Sequence, residues 1–183
     1  MTAPSAPFPT LNVQPGELCL AQTPAILRTI LGSCVSVTFW SGRLGAGALC
    51  HGMLPRAPKI RPSGFVLSDG YRYVDFSIRY LAQQFEALGA KREEVQVKLF
   101  GGADVLPLFR DLAGKPTVGA LNCQTAVTVL AEEGFQVLAQ DLGGTRGRRI
   151  HFHTGTGEVL VYRLDVISGE SHKLTGRTTA RDL

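Results

Sequence analysis

The chain has 183 residues, of which 44% are hydrophobic and 19% charged, a composition that suits one soluble globular domain with a substantial core. Its formal net charge of +4 includes no dense basic block, and the aromatic residues fall at core-like positions, which argues against nucleic-acid binding. The first ten residues lack the features of a secretory signal, and no apolar run reaches the roughly 20 residues of a membrane-spanning helix. We therefore expect a cytoplasmic protein without membrane insertion.

The N-terminal part is predicted to pass from a flexible segment into strands. Residues 1–14 are rich in proline and threonine, which predicts a flexible segment. The turn at Ser41 and Gly42 is expected to join two strands as a hairpin, and the prolines of 55–64 indicate a loop. The strand-like runs lie at 25–31, 34–40 and 44–50.

Two helices are predicted in the second part of the chain. Ser68 is expected to cap the first, in which apolar residues recur every three or four positions to Leu88, with Gly89 as the C-terminal glycine. Asn122 is expected to cap the second, which runs to Glu133. Further strands are predicted at 95–99, 135–140, 148–153 and 158–163, and a loop at 104–118.

The order of these elements is strands, helix, strand, helix and strands, which does not repeat as strand–helix–strand units. It predicts an α/β fold of the α+β kind, a layered sandwich of mixed or antiparallel sheet with helices outside. We expect one domain over residues 15–167, between the flexible segment 1–14 and a flexible polar tail over 168–183.

The four cysteines indicate reduced thiols. Cys19, Cys34, Cys50 and Cys123 form no CxxC pair, and the spacing suggests no disulfide framework. The histidines complete no metal signature, and Cys50 and His51 are strand neighbours that point to opposite faces. No metal site is predicted.

The tightest basic cluster consists of Arg146, Arg148 and Arg149, near Arg163. It predicts a solvated turn whose arginines pair with local carboxylates. Attraction to an acidic protein surface is the alternative.

Cys34 is the candidate nucleophile. It follows Gly32 and Ser33 between two strand-like runs, where small residues leave room beside the sulfur. A turn at this point exposes backbone N–H groups, and those of Ser33 and Cys34 are candidates to hold a developing oxyanion. The alternative is that Cys34 is a small buried hydrophobe.

His51 is the candidate general base, seventeen positions after Cys34 (51 − 34), and the pairing would favour a thiolate beside an imidazolium. Thr29, five positions before the cysteine (34 − 29), is the candidate third residue that orients the histidine. Structural roles for both are the alternatives. His151 and His153 share one face of a late strand and are rivals for the base.

Five motifs carry a family resemblance over about residues 17–163: LGSCVSV, HGMLP, KLFGGADV, GALN and DLGGTRGRRIHF. They resemble the CheD family, the chemoreceptor glutamine deamidases of bacterial chemotaxis. The resemblance implies a cytoplasmic enzyme that hydrolyses glutamine side chains of methyl-accepting receptors to glutamate. It also implies an α/β sandwich related to deamidating toxins that use a cysteine–histidine pair, with no cofactor.

Carried over by position, Cys34 takes the place of the nucleophile and His51 that of the base. Some members have the third residue, a threonine, six positions before the cysteine, where this chain has Arg28, whereas Thr29 matches members with threonine five positions before it. The GALN motif departs from the usual GARN at Leu121.

Two other functions remain open from the sequence. The CheD family is known for a partnership with a CheC-type phosphatase. This resemblance suggests, as one alternative, a non-catalytic regulator that binds receptors or such a phosphatase. The cysteine–histidine pair alone also suits a protease or transglutaminase.

Overall fold

The computed structural model describes residues 8–60, 63–105 and 115–164, together with the backbone of 174–179. The strands in these residues are β1 (Thr10–Asn12), β2 (Leu18–Ala21), β3 (Ile26–Leu31), β4 (Val35–Ser41), β5 (Ala46–Cys50), β6 (Gln96–Gly101), β7 (Val137–Leu142), β8 (Arg148–His153), β9 (Val159–Leu164) and β10 (Leu174–Thr179). The helices are α1 (Leu67–Gly70), α2 (Val74–Ala87) and α3 (Val118–Glu132), with a 3₁₀ turn at Arg92–Glu94.

The strands form two five-stranded sheets. The central sheet has the order β2-β5-β4-β6-β7, and the outer sheet has the order β1-β3-β8-β9-β10. The pairs β1–β3 and β6–β7 are parallel and the other pairs are antiparallel. Helices α2 and α3 pack on one face of the central sheet, and the outer sheet covers the other face. This architecture confirms the predicted layered α/β sandwich with mixed sheets.

The side chains of β4 alternate between the two faces of the central sheet, and the core therefore has two layers. Val35, Val37 and Phe39 point toward the helices and pack with apolar side chains of α2 and α3. Cys34 and Trp40 lie instead with the apolar side chains between the two sheets. The predicted hairpin of β4 and β5 is confirmed, with Thr38 opposite Leu49.

Two segments predicted to be flexible contain strands. Thr10–Asn12 pairs in parallel with β3, and the Val13 N–H continues the ladder by donating to the Arg28 carbonyl at 2.8 Å. Leu174–Thr179 pairs antiparallel with β9 at the other edge of the outer sheet. Pairing with an existing edge supplies the backbone partners that these polar segments would otherwise take from water.

The first long helix begins at Val74 and not at Ser68, which falls in the one-turn helix α1. The backbone between the two helices is held by the segment that follows His51. The Arg72 carbonyl accepts from the N–H groups of Met53 and Leu54, at 2.8 and 3.0 Å, which removes it from a helical ladder. Gly89 after α2 has φ +80°, which agrees with the predicted C-terminal glycine.

The second helix begins at Val118, within the predicted loop 104–118, whose residues 106–114 lie outside the described ones. Thr117 caps it through a hydrogen bond from the Ala120 N–H at 3.2 Å. Asn122, the predicted cap, is buried inside the helix. The predicted cap was wrong because a buried asparagine side chain has a partner elsewhere, in the nucleophile turn.

Candidate active site

Thr29 and His51 meet between the two sheets. Both are buried, and the Thr29 hydroxyl oxygen lies 2.7 Å from Nδ1 of the His51 ring. The same hydroxyl donates to the Val13 carbonyl at 2.8 Å. Because a hydroxyl has a single proton, it must accept a hydrogen bond from Nδ1–H of His51. The contact therefore selects the tautomer that has its lone pair on Nε2.

The Nε2 atom of His51 is buried and has no hydrogen-bond partner among the described residues. A buried polar atom without a partner costs free energy, and such atoms in native proteins concentrate at functional sites. An oriented ring with a free basic nitrogen is what a general base requires.

Cys34 lies on the same face of the central sheet as His51. Val35 and Gly52 exchange two backbone hydrogen bonds, of 2.9 and 2.8 Å, which places Ser36 opposite His51 in register. Alternate residues of a strand share a face, so Cys34 and Ser36 both face the outer sheet, as does His51. Cys34 and His51 are then diagonal neighbours, whose Cα atoms are typically ~7–8 Å apart.

The turn that holds Cys34 is fixed through its carbonyl groups. The carbonyls of Gly32 and Cys34 accept from the backbone N–H groups of Ala103 and Gly102, each at 2.8 Å. The Ser33 carbonyl accepts from the Asn122 side chain at 3.0 Å. No acceptor among the described residues takes the N–H groups of Ser33 or Cys34. These two donors are thus available for a negatively charged oxygen.

Asn122 connects the turn before Cys34 to the segment that follows His51. Its side-chain amide donates to the Ser33 carbonyl and to the Met53 carbonyl, each at 3.0 Å. The helix α3 therefore ties the turn before Cys34 to the strand end that follows His51. The sequence does not reveal this role of Asn122, and its only signal there is a polar residue in a motif shared with the family.

The turn at Gly101 and Gly102 packs closely against Cys34. Gly101 has φ +116°, and a Cβ there would overlap the Cys34 carbonyl oxygen. A Cβ on Gly102 would overlap the Cys123 sulfur and approach the Gly119 carbonyl to 2.9 Å. Only glycine allows this turn, the helix α3 and the backbone of Cys34 to approach so closely.

Arg148 holds the turn at Gly101 and Gly102 in place through hydrogen bonds to backbone carbonyls. It is fully buried and donates to the carbonyls of Gly101, Asp141 and Gly143 at 2.7, 2.5 and 2.5 Å. The Asp141 carboxylate lies 3.6 Å from Arg148 and 2.8 Å from Arg163. The predicted pairing with a local carboxylate is confirmed for Arg148 and Arg163, but the predicted solvated turn is wrong for Arg148.

Burial keeps both partners of the Cys34–His51 pair neutral near neutral pH. Burial raises the pKa of the Cys34 thiol, and its own backbone N–H offsets only part of this effect. Burial lowers the pKa of His51 below its ordinary 6.5, against smaller opposing effects of the Val13 carbonyl and the Glu17 carboxylate. The resting site therefore holds a thiol and a neutral imidazole, in contrast to the thiolate–imidazolium pair suggested by the sequence.

The rival candidates take no part in the Thr29–His51 contact. Arg28, His151 and His153 lie on the outer face of the outer sheet, where β3 and β8 pair. Cys50 points into the helix-facing core, and burial raises its pKa to about 11. His172 lies outside the described residues.

The described residues contain no group of three or more side chains suited to hold a metal ion. No helix in the described part of the chain is long and apolar enough to cross a membrane.

Comparison with known proteins assigns the family. Residues 53–163 match the family model of CheD, described as CheD chemotactic sensory transduction. A protein of Geobacter sulfurreducens named probable chemoreceptor glutamine deamidase CheD 2 is 42% identical over 171 residues, which cover 93% of this chain and 100% of that protein. With so few residues uncovered, this alignment spans positions 34 and 51.

Two further relatives carry the name probable chemoreceptor glutamine deamidase CheD. The one from Oleidesulfovibrio alaskensis is 39% identical and covers 86% of this chain and 74% of its own length. The one from Pseudomonas savastanoi pv. phaseolicola is 38% identical and covers 80% of each chain. Both the family model and these relatives agree with the motifs found in the sequence. The chain belongs to the CheD family.

Proposed function

We propose that this protein is a protein-glutamine deamidase that converts glutamines of chemotaxis receptors to glutamate with release of ammonia. The named relatives supply the substrate class. One observation carries the chemistry: the 2.7 Å contact between Thr29 and Nδ1 of His51, which leaves Nε2 free on the face that presents Cys34. Cys34 is the nucleophile, His51 the base, and Thr29 orients the base.

Acylation begins with proton transfer from the Cys34 thiol to Nε2 of His51 as the sulfur attacks the carboxamide carbon of the substrate. The carbonyl oxygen becomes an oxyanion held by the N–H groups of Ser33 and Cys34. The imidazolium returns its proton to the amide nitrogen, ammonia leaves, and a thioester remains on Cys34. Thr29 stabilises the imidazolium by accepting from Nδ1–H throughout.

Deacylation uses the same residues in reverse roles. The neutral His51 takes a proton from water, and the resulting hydroxide attacks the thioester carbon. The second tetrahedral intermediate uses the same two N–H donors and collapses to expel the Cys34 sulfur, which recovers the proton. The product is a glutamate side chain, and no cofactor takes part in the scheme.

A cytoplasmic location and a second partner belong to the same proposal. Receptor glutamines that face the cytoplasm require a cytoplasmic enzyme, and the family resemblance suggests a CheC-type phosphatase as an additional binding partner. A receptor or phosphatase that binds without turnover would indicate the regulator function instead.

The test is deamidation of a receptor cytoplasmic fragment, followed by mass spectrometry of its glutamine-containing peptides and by ammonia release. We expect the wild-type protein to convert selected glutamines to glutamates without cleaving the fragment. Cys34→Ala should reduce the rate by roughly a thousandfold or more, because no other group replaces a catalytic nucleophile.

Cys19→Ala is the matched control. Cys19 is also a partly buried thiol beside the inter-sheet core, on β2. It should keep the wild-type rate. Unchanged deamidation by Cys34→Ala would refute the assignment of the nucleophile, and peptide-bond cleavage by the wild type would favour a protease.

A further inference from the structure

A basic cleft opens beside His51 and Thr29. It has a volume of about 450 Å³ and lies where β1 ends and leaves part of the β3 edge uncovered. We define the basic cleft by the lining residues Val13, Arg28, Thr29, His51, Arg149 and His151. None of the described residues that line it is acidic.

The sheet register gathers the basic side chains. Arg28 lies opposite His151, and Ile30 lies opposite Arg149, in the antiparallel pair β3–β8. In both strands the alternate residues are buried between the sheets, so these four side chains share the outer face. The two guanidinium groups are diagonal neighbours on that face.

Neither arginine is neutralised within the described residues. No ion pair or hydrogen bond involves the guanidinium of Arg28 or Arg149 there, and the Nε atom of Arg28 is buried without a partner. Arg148 and Arg163, by contrast, share the Asp141 carboxylate. The nearby Glu17 carboxylate accepts from the Gln14 N–H at 2.8 Å. Two adjacent cations with no counter-ion in the described part of the chain form a site for an anion.

His151 contributes as a neutral group. Burial, together with the charges of Arg28, Arg149 and His153, lowers its pKa to about 4. Its ring packs on Tyr162 with 5.0 Å between ring centres. At neutral pH the positive charge of the cleft therefore lies on the guanidinium groups of Arg28 and Arg149. The neutral His151 imidazole lines the cleft as a hydrogen-bonding group.

We propose that the basic cleft binds an acidic side chain of the substrate protein that lies next to the target glutamine. This inference rests on the proposed function, because the cleft shares His51 and Thr29 with the site and therefore lies where the substrate chain passes. The planar guanidinium fork matches a carboxylate, which it can hold through two parallel hydrogen bonds. The cleft thus selects glutamines with acidic neighbours.

The first measurement is binding, which does not depend on turnover. The full-length protein with Cys34→Ala is titrated with a receptor-derived peptide that contains a glutamine flanked by glutamates. Adding Arg28→Gln or Arg149→Gln should weaken the affinity by roughly tenfold and flatten its salt dependence. The control Arg79→Gln should change neither, because Arg79 lies on α2 and pairs with Glu132 at 2.6 Å.

The second measurement is a double-mutant cycle with the peptide. Replacing its flanking glutamates by glutamines should weaken binding to the Cys34→Ala protein by a similar factor and should add little in the Arg28→Gln background. Losses that simply multiply, or an unchanged affinity in both arginine variants, would overturn the proposal. So would competition by inorganic phosphate without competition by glutarate.

These arms separate the two proposals. If the wild type binds the peptide through the arginines but releases no ammonia, the proposed function fails and the basic cleft stands. If ammonia is released equally from peptides with and without flanking glutamates, the cleft proposal fails and the deamidase proposal stands.

Discussion

The two faces of the central sheet differ in chemistry although the same strands form both. Toward the helices, β4 and β5 present Val35, Val37, Phe39 and other apolar side chains, which pack against α2 and α3. Toward the outer sheet, the same two strands and their ends present Cys34, Ser36, Thr38 and His51. The helix-facing layer stabilises the strands, and the layer between the sheets combines packing with chemistry.

The two layers also differ in buried polar atoms that lack hydrogen-bond partners. Ser36 Oγ and His51 Nε2 are buried without partners in the described residues, and each such atom costs ~1–3 kcal/mol. The apolar helix-facing layer has no comparable defect in its buried cluster and offsets this cost. The unsatisfied atoms of Ser36 and His51 lie on the face of the central sheet that presents Cys34.

Removal of the Thr29 hydroxyl tests the chemistry of the layer between the sheets and should have a large effect on activity. Thr29→Val keeps the shape of the side chain but leaves Nδ1–H of His51 buried without an acceptor. We expect kcat/KM for deamidation to fall by roughly tenfold to a hundredfold, which corresponds to the ~1–3 kcal/mol of an unmatched buried donor. Steady-state ammonia release measures this loss.

Thr38→Val is the matched control, since Thr38 is a buried threonine of the same inter-sheet face with no role in orienting His51. It should keep the wild-type kcat/KM. Thr29→Ser restores the hydroxyl and should restore most of the activity. Equal activity of Thr29→Val and the wild type would show that the hydroxyl does not orient the base.

A smaller effect concerns the pH dependence of kcat/KM. The active form holds His51 neutral and Cys34 protonated. Because burial lowers the pKa of His51, activity should persist below pH 6.5 and fall only as the ring becomes protonated. Because burial raises the pKa of Cys34, the alkaline fall should lie above pH 9.0. An acid limb above 6.5 would contradict the lowered pKa of His51.

Local patterns predicted the elements that place the nucleophile and the base. The alternating apolar residues of β4 and β5 predicted a hairpin, and small residues before Cys34 predicted a turn. The hairpin register then determines that Cys34 and His51 share a face. The position of Thr29 on the preceding strand followed from the same local pattern, whereas Arg28 points to the outer face.

Long-range contacts account for what the sequence could not predict. The Val13 carbonyl, which orders the Thr29 hydroxyl, comes from a segment whose composition resembles a flexible terminus. Asn122 resembles a helix cap because its polarity is visible in the sequence, whereas its two carbonyl partners are not. The sequence around Arg148 has the composition of a surface turn. Only the folded structure brings the three backbone carbonyls to which the buried guanidinium donates around it.

The most direct test of the account is capture of the covalent intermediate. The wild-type protein is mixed with a glutamine-containing receptor peptide, quenched in acid during turnover, digested and analysed by mass spectrometry. We expect a thioester on the Cys34 peptide. The mass added to that peptide should equal the mass of the substrate peptide less one ammonia. Continued turnover with no adduct on Cys34, or an adduct on Cys19, Cys50 or Cys123 instead, would contradict it.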